Sequence, residues 1–298
     1  MTYQQLKYLI TISECGSLNA ASKALFISQP TLSNAIKELE NELKIKIFTR
    51  NNKGVTLTDK GNELVGYARQ ALETMENITN TFTNTKKEKQ RFTLSAQHYS
   101  FVVDTFIELV KEYGYEKYDF SINEVQTSQI IDDVKNMHSN LGILYLSKEN
   151  NKALNKIFTD NNLEFHPLFV AKPHVFISKY HPLAKSKLIN IEDLKEYPFL
   201  SFNQGSNSSL YFSEEILSTY DHKKSIKVSD RATLFNLLIG LNGYTISTGI
   251  IAKELDPEVL AIPLDIKDDI TVGYLTLKNT YLSEISKKYI ETLKRYKF

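Results

Sequence analysis

The stretch Ser17 to Arg50, SLNAASKALFISQPTLSNAIKELENELKIKIFTR, constrains the fold more than any other part of the chain. Its pattern predicts two short helices joined by a turn and followed by a charged exit. Gly16 can end a preceding helix in the left-handed conformation, and Ser17 or Asn19 can cap the next one. Ala20, Ala21, Ala24 and Leu25 recur at helical spacing as a small-residue face that lets another helix approach closely. Phe26 and Ile27 make an apolar turn. Ser28 is placed to cap a further helix, with Pro30 in its first turn, where a missing N–H breaks no intrahelical bond. In that helix Leu32, Ala35, Ile36, Leu39 and Leu43 form one apolar stripe, and Gln29, Thr31, Ser33, Asn34 and Lys37 lie off it. A first turn rich in small hydrogen-bonding side chains suits a helix whose N-terminal residues face base edges and phosphates.

The flanks fit the same arrangement. Residues 3–15 read as a helix with Leu6, Leu9 and Ile10 inward. Ile45, Ile47 and Phe48 suggest an extended segment, and a turn from Arg50 to Gly54 leads into Val55-Thr56-Leu57. That is a two-stranded wing, with Arg50 and Lys53 in reach of phosphates or the minor groove. Thr58 can cap a helix running to about Thr85. Its apolar positions Leu64, Ala68, Ala71, Met75, Ile78 and Phe82 alternate in steps of four and three, the seam of a two-stranded coiled coil. A helix lying on a globular body is the other reading of that stripe. Pairing two copies would put two recognition helices on one duplex and select a roughly palindromic site. The charged run TKKEKQ, residues 85–90, is the candidate hinge.

At these residues the chain resembles the LysR-type transcriptional regulators. Their winged helix-turn-helix hallmark appears here as AASKALFISQPTLSNAIKELENEL, followed by IFTR and LTDKG. Asn34 stands where many members carry Arg, a departure expected to alter base or phosphate contact at that position. The resemblance implies a sequence-specific regulator acting on double-stranded promoter DNA as a homodimer or homotetramer. Residues 1–57 would be the winged helix-turn-helix, 58–90 a long linker and dimerisation helix with its hinge, and 91–298 an effector-binding domain. Ser28, Gln29, Pro30, Thr31, Ser33, Asn34 and Lys37 would face the major groove, with Arg50 and Lys53 on the backbone or minor groove.

From Arg91 the pattern changes to alternating strands and helices. RFTLSA, YDFSINEV, LGILYL, HVFIS, PFLSF, IKVSD and YTIST read as strands. FVVDTFIELVKEY, SQIIDDVKNM and RATLFNLLIGL read as helices. Such alternation predicts α/β sheets with mainly parallel strands. By resemblance this is a two-lobed, periplasmic-binding-protein-like module. Lobe I would span 91–161 and 268–298 and lobe II 162–267, with crossovers near Asp160–Leu163 and Asp265–Asp269.

Ligands of open α/β sheets sit beyond the carboxyl ends of strands, often at helix N-termini. Three loops fit. Ser95-Ala96-Gln97-His98-Tyr99-Ser100 supplies hydroxyls, an amide and an imidazole; Gln126-Thr127-Ser128 follows the next strand; Ser201 to Ser208 lies in the other lobe. None contains a carboxylate, and that chemistry suits a small anionic or zwitterionic metabolite such as an amino acid or organic acid. Tyr99, Tyr145 and Phe202 would supply apolar walls, and Thr245, Ser247 and Thr248 would close the cleft. Taken singly, hydroxyl and amide residues at such junctions are as well explained as caps and turns. His98 is the sharpest candidate.

Composition sets the remaining bounds. At 298 residues, two or three domains are expected. The net charge of +1 gives no global nucleic-acid signal, but residues 1–90 hold 12 Lys/Arg against 9 Asp/Glu and the rest 24 against 26. The single cysteine, Cys15, excludes an intramolecular disulfide and is expected as a small buried side chain. The six histidines show no metal-ligand spacing, and there is no P-loop, GxGxxG or GxSxG motif, so no metal, cofactor or catalytic site is expected. Asp132-Asp133 and Asp268-Asp269 read as solvated acidic faces. No secretory signal or membrane span is visible, which places the protein in the cytoplasm. An effector-independent regulator, or a metabolite-binding protein or enzyme with an accessory DNA-binding domain, are the alternatives.

Overall fold

The computed structural model describes residues 1–51, 54–83, 90–113, 117–205, 210–218, 220–252 and 257–296. The chain divides into two compact units, Met1–Glu88 and Lys89–Phe298.

In the first unit the expected helices form. Helix α1 (Tyr3–Cys15) begins with a capping box, Thr2 and Gln5 satisfying each other's backbone N–H, and ends at Gly16 with φ 61°. Helix α2 (Leu18–Ala24) is capped by Ser17, whose hydroxyl accepts the Ala20 N–H. Helix α3 (Gln29–Leu43) is capped by Ser28, which accepts the Thr31 N–H. Leu6, Leu9, Ile12, Leu32, Ile36, Leu39 and Ile47 are buried as one core. Of the small-residue face only Ala21 is buried, while Ala20 and Ala24 are exposed, so α2 contacts its neighbours along a narrower line than the sequence spacing predicts. Strands β1 (Phe48–Asn51) and β2 (Gly54–Leu57) pair antiparallel with Arg50 opposite Val55. The Val55 N–H donates to Gly16 O at 3.0 Å, which ties the wing to the end of α1.

Helix α4 (Asp59–Thr83) follows, its first turn capped by Thr58 Oγ1, which accepts the Gly61 N–H at 2.9 Å. The expected dimerisation seam is split. Ala68 is 1% exposed, and Leu64 and Ala71 pack against the unit's own core. Met75 and Ile78 are 48% and 56% exposed. The first half of the stripe therefore holds α4 onto α1, and Met75 and Ile78 are open to another surface. The side chain of Phe82 and the hinge run 85–89 lie outside the described residues.

The second unit contains two five-stranded sheets. The first is built from β3 (Gln90–Ala96), β4 (Tyr118–Glu124), β5 (Leu141–Leu146), β6 (Leu163–Ala171) and β12 (Ile270–Leu277), in the order β4-β3-β5-β12-β6. The second is built from β7 (His174–Ser178), β8 (Phe199–Phe202), β9 (Ser225–Val228), β10 (Tyr244–Ser247) and β11 (Val259–Pro263), in the order β11-β7-β10-β8-β9. The helices are α5 (Ser100–Tyr113), α6 (Thr127–Lys135), α7 (Asn151–Asp160), α8 (Arg231–Leu241) and α9 (Glu284–Leu293).

Two expectations need correction. The sheets are mixed rather than mainly parallel: β12 runs antiparallel to β5 and β6, and β7 runs antiparallel to β10 and β11. The first crossover does not fall at Asp160–Leu163, because β6 pairs with β12 along its whole length and the chain changes sheets only after Ala171. Pro167 disguised this strand. It sits at a register shift opposite Gly273, on an edge strand, where a missing N–H is tolerated. The return runs from Pro263 to Ile270, near the expected Asp265–Asp269. One core of buried residues, including Phe92, Phe101, Tyr145, Ile177, Phe199 and Tyr289, joins the two lobes.

Candidate functional site

In the first unit the exposed face of α3 is the candidate surface. Leu32, Ile36 and Leu39 are buried, which turns Pro30, Thr31, Asn34 and Lys37 to the outside, with Gln29 and Ser33 half-buried. The cap fixes the start of the helix: Ser28 Oγ also lies 2.7 Å from Thr31 Oγ1. Phe26, in the turn before it, has φ 54° and is 95% exposed, an apolar ring that the core does not use. The apolar turn expected from Phe26 and Ile27 gives no hint of this exposure. Arg50 lies in the wing ladder, and Lys53 lies outside the described residues.

In the second unit the β3–α5 loop, the start of α6 and the segment after β8 converge. His98 stacks on Phe202 with ring centroids 3.8 Å apart and planes within 8°. Its backbone N–H and Nδ1 both donate to Glu214 Oε2, at 3.0 and 2.8 Å. Gln204 Nε2 donates to the other carboxylate oxygen, Oε1, at 2.9 Å. Gln204 Oε1 in turn accepts the Thr127 N–H at the first residue of α6, at 3.1 Å. Behind this row, Gln97 Nε2 donates to Thr127 Oγ1 at 2.7 Å, and Gln97 Oε1 accepts from the Tyr99 hydroxyl and the Tyr145 N–H, each at 3.0 Å. Burial pushes the Tyr99 and Tyr145 phenols well up, so both remain neutral donors. The Tyr145 hydroxyl donates to Ser213 O at 3.0 Å.

His98, Ser100, Phe202, Thr245 and Ser247 line a cleft together with Glu214, Glu215, Arg231 and the apolar Phe176, Phe235 and Ile250. Free space within it is only about 30 Å³, the size of water rather than of a metabolite. Glu215 is buried beside Glu214 and accepts the Phe202 N–H at 2.8 Å. Burial, then the neighbouring Glu214, push the Glu215 carboxyl well above the usual range. Arg231, at the first residue of α8, reaches Glu124, at the end of β4, with 3.3 Å between Nε and Oε1.

Residues 3–62 match the family described as bacterial regulatory helix-turn-helix protein, lysR family, and residues 92–297 match the LysR substrate binding domain. The chain belongs to the LysR family of DNA-binding transcriptional regulators. Regulators of this family bind promoter DNA, respond to small molecules and work as oligomers. Among relatives, the uncharacterized HTH-type transcriptional regulator YvbU of Bacillus subtilis is 25% identical over 285 residues, 88% of this chain and 92% of that one. Full-length OxyR from Pseudomonas aeruginosa, solved as a point variant, shares the fold with a TM-score of 0.69 at 19% identity, covering 99% of this chain and 95% of that one. Full-length CbnR in complex with its target DNA has a TM-score of 0.55 at 15% identity, with 99% of each chain covered.

In this LysR-family chain the expected cleft residues separate into three groups. His98, Tyr99, Ser100, Phe202, Thr245 and Ser247 reach the cleft. Gln97, Thr127 and Tyr145 stand behind it and orient what does. Ser95 is excluded: it is fully buried and donates to Asp133 Oδ2 at 2.6 Å, with Ser139 Oγ at 2.8 Å. Ser128 is half-buried in the first turn of α6 and does not line the cleft. Asp133 is accordingly buried rather than a solvated face. Residues 206–208 of the third loop lie outside the described residues.

The largest difference is the presence of carboxylates. The three loops contain none, yet Glu214 and Glu215 face the cleft from the segment that follows. In sequence they look like any exposed acidic pair. Cys15 differs as well: it is exposed at the last residue of α1. Among the described residues no group of three or more His, Cys, Asp or Glu side chains is placed to hold a metal, and no helix is long and apolar enough to cross a membrane.

Proposed function

We propose that this regulator works in the cytoplasm without a cofactor and binds promoter DNA as a homodimer or homotetramer. Helix α3 lies in the major groove, with Ser28, Gln29, Pro30, Thr31, Ser33, Asn34 and Lys37 toward bases and phosphates. Arg50 and Lys53 of the wing meet the backbone or minor groove. The far end of the α4 stripe, from Met75 and Ile78 to Phe82, forms the dimer seam. A small anionic or zwitterionic metabolite, an amino acid or organic acid first among candidates, binds the cleft of the second unit and alters the DNA geometry that the oligomer imposes. The protein signals rather than catalyses.

The observation that carries the DNA reading is the division of α3 into a buried apolar stripe and an outward polar first turn. Similarity in fold to a protein solved on its target DNA supports it. The test is binding to DNA selected by the wild-type chain from a random pool. Lys37→Ala should weaken binding to all sequences and reduce the slope of log affinity against log salt by about one unit. Asn34→Ala should relax preference at one base position, costing about 1–3 kcal/mol there. Unchanged affinity and salt slope in Lys37→Glu would exclude α3 from the interface.

A second reading is favoured by a specific observation. Glu214 fills the cleft and leaves water-sized space, as an effector-independent regulator would require.

A further inference from the structure

The cleft has a complete carboxylate-binding set, and the chain itself occupies it. Three donors converge on Glu214, two from His98 and one from Gln204. Their orientation is fixed from behind. Gln204 uses its oxygen for the Thr127 N–H, so only its amide nitrogen can face the carboxylate. The His98 ring lies flat on Phe202. Burying a carboxylate is costly unless its lone pairs are met, and here both oxygens are met. The carboxylate also bridges two layers, since His98 and Thr127 follow β3 and β4 of the first sheet and Gln204 and Glu214 follow β8 of the second.

We propose that Glu214 is an internal ligand: residues 210–218 hold its carboxylate in the position that an external carboxylate must take, and an effector binds by displacing it. The inference rests on the cleft being the effector site. Around Glu214 two further bonds can be broken without unfolding a sheet, Tyr145 hydroxyl to Ser213 O and Phe202 N–H to Glu215. Ile216 and Leu217 stay packed in the core, and Leu217 O accepts from His222 Nε2 and the Tyr220 N–H. Displacement leaves a carboxylate subsite beside apolar walls from Phe176, Phe202, Phe235 and Ile250. The ligand class that fits is a small monocarboxylate with an apolar body. An attached competitor lowers the apparent affinity of any external one by the fraction of time the subsite is free. A bare carboxylate therefore binds the wild-type chain poorly, and the apolar body supplies the surplus.

The test uses the full chain, with sodium acetate compared against sodium chloride at equal ionic strength. Glu214→Ala removes the internal carboxylate. Acetate should then raise its melting temperature saturably and bind about tenfold or more tightly than to the wild-type chain. Adding His98→Ala should abolish that gain. If Glu214→Ala does not fold, Glu214→Leu keeps most of the side-chain volume, removes both acceptor oxygens and carries the same comparison. Equal acetate binding by wild type and variant would overturn the internal ligand and leave the effector cleft standing. Binding by neither, with both folded, would overturn the carboxylate cleft as well.

Discussion

Gly61→Ala should disable the DNA-binding unit although the substitution favours helix. Gly61 is the third residue of α4, and Ala there would ordinarily stabilise by about 1 kcal/mol. A Cβ at Gly61, however, would stand 2.1 Å from Ile47 O and 2.9 Å from Ile47 C, with Leu57 Cδ2 at 3.1 Å. Carbon and carbonyl oxygen approach to roughly 3.3 Å at best, so the carbonyl must retreat by about 1 Å. It is not free to do so. Ile47 O accepts the Thr58 N–H at 2.9 Å and the Thr58 hydroxyl at 3.3 Å, and the Ile47 N–H donates to Glu40 Oε1 at 2.8 Å. Losing one or two of these bonds costs about 1 kcal/mol each, and overpacking costs about 1–3 kcal/mol. Set against the helix gain, the net loss is about 2 kcal/mol. Hydrogen exchange of the full chain reads this unit by unit: amides of α1, α3 and α4 should exchange roughly 30-fold faster, while those of the second unit are unchanged. The wing, which α4 fixes through Thr58, should lose DNA affinity in parallel. Unchanged or slower exchange with full affinity would refute the steric reasoning.

Three further outcomes are expected. Gly240→Ala, in α8, has the opposite sign, because a Cβ there meets nothing within 4 Å and the backbone is not left-handed; a denaturant melt should show about 0.4–1 kcal/mol of stabilisation. Ser28→Ala removes the hydroxyl that accepts the Thr31 N–H and should cost about 1 kcal/mol in exchange of the α3 amides, with weaker DNA binding. Glu215 holds its proton in the folded state above the ordinary carboxylate value of 4.5, so its contribution to stability falls as pH rises from there toward the folded value. His181 and His222, lowered from 6.5 chiefly by burial, act in the other direction, losing stability as pH falls below 6.5. In Glu215→Gln the histidines are unchanged, so wild-type minus variant stability should decline as pH rises above 4.5 in urea melts; a flat difference would show that Glu215 does not titrate as its burial implies.

Local signals were legible wherever one chemical rule dominated. Gly16, Ser17, Ser28 and Thr58 each do what their side chain or its absence allows, and the helices of the first unit begin and end there. The α4 stripe was only half legible. Spacing shows that Leu64, Ala68, Ala71, Met75 and Ile78 share a face, but it cannot show that α1 covers the first three. β6 was hidden because Pro167 breaks a strand pattern at the place where a bulge on an edge strand accommodates it. In the cleft, His98 stood out as the lone imidazole of a loop. Its partner lies 116 residues away, and nothing in the run SEE marks Glu214 as buried. Tertiary pairing of two unremarkable residues leaves no local trace.

That pairing changes what an effector would have to do. A ligand shifts an equilibrium only by its differential affinity for the two states. In a cleft held apart and empty, binding energy would come from drawing the lobes together. Here the lobes are already bridged by Glu214 and by Arg231 with Glu124. An external carboxylate that takes the His98 and Gln204 donors would replace one bridge by an equivalent one. The state that differs is then a released stretch around Ser213–Glu215, its hydrogen bonds to Tyr145 and Phe202 broken and Ile216 and Leu217 still in the core, rather than the angle between the sheets. Trypsin cannot report on this segment, which lacks Lys and Arg, but a glutamate-specific protease can, because release exposes the Glu214–Glu215 pair. Ligand binding should accelerate cutting there if the internal ligand is displaced, and should slow it if the ligand instead closes the lobes over the segment.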